Sequence, residues 1–69
     1  MERIPVTSTN IKEVGYDVES STLEIVFKDG GTYRYEGVPQ SVYNGLITAG
    51  SAGQYFHRVI RDKYRFTRV

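Results

Sequence analysis

A chain of 69 residues that is 39% hydrophobic and 13% aromatic makes one small domain with a thin core, which excludes most enzymes. Cysteine is absent and histidine occurs once, so disulfides, thiolate zinc and histidine-rich metal sites are excluded as well. The formal net charge of +1 hides an asymmetry: residues 1–53 carry four cations against seven acids, residues 54–69 five cations against Asp62 alone. A basic end on a weakly acidic body points to a polyanionic partner.

The opening stretch MERIPVTSTN has neither the charged n-region nor the apolar h-region of a signal peptide, and no apolar run is long enough to cross a bilayer. A cytoplasmic protein with no membrane partner is expected. No repeat or linker interrupts the chain, which reads as a single domain over residues 1–69. A thin core without disulfide or metal also calls for another staple, and a homo-oligomer is the expected one.

The first half alternates as antiparallel strands do. Val14, Tyr16 and Val18 share one face, as do Leu23, Ile25 and Phe27, and then Tyr33 and Tyr35. A three-residue turn, Asp29 to Gly31, pairs Phe27 with Tyr33 and Ile25 with Tyr35 and places a glycine at the left-handed position. The same parity sets Val18 against Leu23, Tyr16 against Ile25 and Val14 against Phe27. Asp17, Glu24, Val26, Arg34 and Glu36 then populate the other face.

After Gly37 the period lengthens. Pro39 suits a helix start, Val42, Tyr43, Leu46 and Ile47 fall on one stripe, and Gly50 marks a stop. Ser51 with Gln54 resembles a capping box, and Phe56, Val59 and Ile60 form the next stripe. The closing residues from Lys63 to Val69 alternate cation with aromatic and read as an extended tail. The predicted architecture is α+β: a three-stranded antiparallel sheet, two short helices packed on one face, and an extended C-terminal tail.

Tyr16-Asp17, the run Leu23 to Phe27, Tyr33-Arg34-Tyr35, Val38-Pro39, Tyr43, Gly53-Gln54-Tyr55-Phe56, Ile60-Arg61 and Tyr64 occur in an order that resembles the KTSC domain. That family takes its name from the C-terminus of some lysyl-tRNA synthetases and includes stand-alone bacterial and phage proteins. The resemblance spans roughly residues 7–69. It implies a fold, and through the synthetase context it implies RNA as one class of partner.

Catalytic chemistry finds little support. A nucleophile needs a base and an orienting group, and the one histidine is flanked by cations that orient nothing. The acids are scattered, and Gly30-Gly31 belongs to a hairpin and begins no phosphate-binding helix. A non-enzyme without cofactor is expected. The candidate ligand site is the basic aromatic end. Arg58 and Arg61 are expected as helical neighbours at i and i+3, a pair of guanidinium forks suited to phosphate. Tyr55, Tyr64 and Phe66 offer stacking surfaces, while His57, Lys63, Arg65 and Arg68 complete the set. A pI near 8.0 is low for a nucleic-acid groove. The leading expectation is therefore a homo-oligomer that binds, and sequesters, a compact phosphate-bearing nucleotide such as a cyclic signalling nucleotide. An RNA-binding module is the alternative, and a protein–protein adaptor with no nucleotide ligand the third reading.

Overall fold

Five strands, not three, form one antiparallel sheet in the order of the chain, in a computed structural model that describes residues 2–69; Met1, at the start of the expected domain span, lies outside it. The strands are β1 (Arg3–Pro5), β2 (Ile11–Asp17), β3 (Thr22–Phe27), β4 (Thr32–Tyr35) and β5 (Phe66–Arg68). Between β4 and β5 the chain makes α1 (Gln40–Thr48) and α2 (Ala52–Tyr55), and α2 continues into a π-helical turn over Phe56–Ile60.

The two additional strands are three residues each, too short for alternation to announce them. β1 carries Pro5, which lacks an N–H and is accommodated because β1 lies at the sheet edge. β5 is the expected tail: its residues are all exposed, yet Phe66 pairs with Tyr35, Thr67 with Arg34 and Arg68 with Tyr33. The tail thus satisfies backbone groups that β4 would otherwise leave as an open edge.

Parity is as expected, but each register is displaced. Val14 opposes Ile25 and Tyr16 opposes Leu23, so the β2–β3 turn begins at Val18, which is 62% exposed and does not face the core. A bulge between Ile11 and Glu13 then lets Ile11 and Val14, an odd number of residues apart, both point inward. Ile25 opposes Tyr33 and Leu23 opposes Tyr35. The turn is again three residues long, but it is Lys28 to Gly30. Phe27 C=O accepts from Gly30 N–H at 3.1 Å, and Phe27 N–H donates to Gly31 C=O at 2.7 Å. Gly30, not Gly31, holds the left-handed conformation, with φ +105°.

The helices cover one face. Leu46, Ala52, Phe56 and Ile60 close over Ile11, Val14, Leu23, Ile25 and Tyr35, with Val38 completing the core. Tyr16 and Tyr43 stack at 5.0 Å between centroids, and Tyr16 Oη donates to Val38 C=O. Ser51 Oγ accepts from Gln54 N–H at 3.3 Å, capping α2. The other sheet face carries a polar row: Arg3, Gly15, Glu24, Arg34 and Thr67 are cross-strand partners in sequence. Glu24 is buried at 3% exposure beneath two arginines. Arg34 Nε donates to one carboxylate oxygen at 2.8 Å and Arg3 Nε to the other at 2.6 Å. Arg3 reaches Glu24 across Gly15, the β2 residue that pairs with both.

Candidate functional site

Strand alternation puts Tyr33 and Tyr35 of β4 on the helix-covered face, and the β5 register sets Arg68 and Phe66 beside them. Phe27 arrives from the end of β3 and Phe56 from the start of the π-turn. The five rings close a circuit: Phe27 to Tyr33, Tyr33 to Phe66, Tyr35 to Phe56 and Phe56 to Phe27 each at 5.6 Å, and Phe66 to Tyr35 at 5.5 Å. Four of these contacts are edge-on and one is tilted, arrangements favoured by ring quadrupoles. Phe66 is the most open of the five, at 55% exposure.

This circuit floors a groove of about 610 Å³ whose rim holds Asn10, Asp29, His57, Arg61, Asp62 and Arg68. The guanidinium of Arg68 lies 5.9 Å from the Tyr33 ring centroid, a cation–π placement. Tyr35 is almost fully buried, and burial, with Tyr33 and Asp62 adding to it and Arg61 opposing it, pushes its phenol above the ordinary tyrosine value. Tyr35 therefore keeps its proton at neutral pH and brings a hydroxyl, not a phenolate, to the groove.

The π-turn carries His57 and Arg58, and Arg61 follows directly after it. Arg61 N–H donates to Phe56 C=O, an i to i+5 closure, at 2.8 Å. Residues i and i+4 are neighbours on a helical surface, in this wider turn as in an α-helix. Arg61 accordingly meets His57, with Nη1 3.0 Å from Nδ1. Arginine only donates, so Nδ1 is the acceptor in this contact. Of the expected pair Arg58 and Arg61, only Arg61 lines the groove; Arg58 is exposed outside it.

Of the residues singled out in the sequence, the structure brings together His57, Arg61 and Arg68, with Phe66 among them. Tyr55 turns instead to α1, where Gly45 leaves room for its ring; a Cβ at Gly45 would collide with the hydroxyl. Tyr64 is half-buried against the core, and Lys63 and Arg65 are exposed outside the groove. In the sequence, Phe27, Tyr33 and Tyr35 read as core, with a rim role open for the two tyrosines, and nothing there singles out Asn10, Asp29 or Asp62 as site residues. Asp62 carried one usable signal, a charged residue directly after the arginine; its φ of +64° became visible only in the structure.

A second depression of about 750 Å³ lies on the polar sheet face, lined by Asp17, Arg34, Glu36 and neighbours but by no aromatic ring. Its larger volume is not matched by any stacking surface. Among the described residues no cluster of histidine, aspartate and glutamate is placed to hold a metal, and no helix is long and apolar enough to cross a membrane.

Comparison with known proteins places these features in a family. The model described as the KTSC domain matches residues 7–64. A crystal structure of a KTSC domain protein from Yersinia pestis is similar with a TM-score of 0.95 at 38% identity, covering 99% of this chain and 96% of that one. A protein of Stutzerimonas stutzeri, described as uncharacterized, is 39% identical over 100% of this chain and 99% of its own length. A lysine–tRNA ligase of Nostoc punctiforme is 39% identical over 86% of this chain, a match that takes up 10% of the ligase.

Proposed function

The chain belongs to the KTSC domain family, and we propose that it acts as a non-catalytic binding protein for a compact phosphate-bearing nucleotide, held as a homo-oligomer that sequesters its ligand. The observation that carries this reading is the aromatic circuit flanked by Arg61 and Arg68. Rings supply area for base stacking, and the forks of two arginines supply donors for phosphate. A volume of about 610 Å³ falls within the ~300–1,000 Å³ typical of small-ligand sites. A cytoplasmic setting fits a ligand of this kind.

Salt dependence tests the reading. A ligand with one or two phosphates releases few counterions, so its affinity should fall shallowly with salt. Single-stranded RNA neutralised at six or more phosphates should give a log–log slope near −4 or steeper, at about −0.7 per contact. Titration of a mononucleotide, a cyclic dinucleotide and a short oligonucleotide between low and physiological salt separates the two. Binding of the small nucleotides with a shallow slope supports the proposal.

RNA is the second reading, favoured by one observation: the related segment is also found in a chain named lysine–tRNA ligase. Arg58, Lys63 and Arg65, exposed outside the groove, would then track a backbone. Steep, oligonucleotide-only binding selects that reading. Failure to bind any of the three ligands leaves the protein–protein adaptor.

A further inference from the structure

Two carboxylates line the groove, and a site for phosphate alone has no use for them. Asp29 sits in the β3–β4 turn, two residues before Gly31, which packs against the Tyr33 ring. Asp62 follows Arg61 where the π-turn ends, and both line the groove with Tyr35. Two sets of the same three residue types thus line the groove: Tyr33 with Arg68 over its ring and Asp29 in the adjoining turn, and Tyr35 with the consecutive Arg61 and Asp62. Phe66 contacts both tyrosines from between them.

An ionised carboxylate only accepts hydrogen bonds, and guanine is the common base that presents two adjacent donors, N1–H and the N2 amino group. Adenine offers a donor beside an acceptor, so one carboxylate oxygen would face a lone pair. Guanine also presents O6 and N7 together, the pair that an arginine fork reads. Resting on the nucleotide reading above, we propose that the groove selects guanine, with Asp62 and Asp29 accepting from the N1–H and N2 edge, Arg61 and Arg68 donating to the base or its phosphate, and the two sets of residues matched to the two bases of a guanine dinucleotide.

Calorimetric titration of the full chain with GMP, IMP, AMP and the linked dinucleotides diguanylate and diadenylate tests this. Inosine lacks only the N2 amino group, so the comparison with GMP needs no change to the protein. A good bidentate base contact should favour GMP over AMP by about five- to 150-fold, with IMP between them and diguanylate tightest of all. Asp62→Asn should narrow the guanine preference while keeping the fold, because asparagine also tolerates the left-handed conformation. IMP binding as tightly as GMP, or equal binding of GMP and AMP, overturns guanine selection and leaves the nucleotide reading standing. No binding of any of the five ligands overturns both.

Discussion

Glu24 shows how a single residue's burial depends on partners remote in sequence. Burial alone would raise its carboxyl, but hydrogen bonds from Arg34 and Arg3, with their charges, outweigh that and hold it below the ordinary glutamate value. A group with a depressed folded pKa stabilises the fold above its unfolded pKa, and that contribution is lost as pH falls through the folded value. Stability should therefore drop on acidification below the ordinary glutamate range. Glu24→Gln should flatten that part of the urea-midpoint-versus-pH curve and cost about 1–2 kcal/mol at neutral pH. Ile25 is fully buried, and Ile25→Ala should cost roughly 2–5 kcal/mol by chemical denaturation. An unchanged midpoint would contradict its place in the core. The side of the sheet on which Ile25 lies was legible from alternation alone. The burial of Glu24 was not, because its second arginine comes from a strand that alternation cannot detect.

At the level of elements, local chemistry revealed both helices and the three central strands, and it missed what depends on geometry. Registers moved while parity held, since a displacement of the pairing by two keeps every side chain on its face. The π-turn left no periodic trace in five residues, and Arg61, which follows it, lines the groove while Arg58 does not. Arg61→Ala should weaken nucleotide binding about ten- to a hundredfold, whereas Arg58→Ala should leave it near the wild-type value, as measured by calorimetry. Equal losses would return the site to an α-helical arginine pair. α1 provides a second test. Gly45→Ala improves helix propensity by about 1 kcal/mol, but the new Cβ would overlap the Tyr55 ring, with Cζ at 2.6 Å and Cε2 at 2.9 Å. Overpacking typically costs about 1–3 kcal/mol, so the net change should be destabilising, and a raised thermal midpoint would show that Tyr55 moves aside freely.

The whole molecule measures 28 × 24 × 23 Å, with helices on one sheet face and the polar row on the other. Such a small fold buries a limited core, and the proposed oligomer should appear in light scattering at micromolar concentration as a mass of at least twice 7.9 kDa. A stable monomer would remove assembly from the proposal while leaving the groove intact. Strand order that follows chain order has a kinetic consequence. The β1–β2, β2–β3 and β3–β4 pairings each close only a short connection, so they should form early, while β4–β5 must wait for both helices to be laid down. β5 is short, exposed and paired with β4 alone, so it should detach from the folded sheet more readily than the central strands. The same strand supplies Phe66 and Arg68 to the groove. Amide hydrogens of β5 that bond to β4 should exchange with solvent sooner than those of β2 and β3, and an occupant of the groove should slow them first.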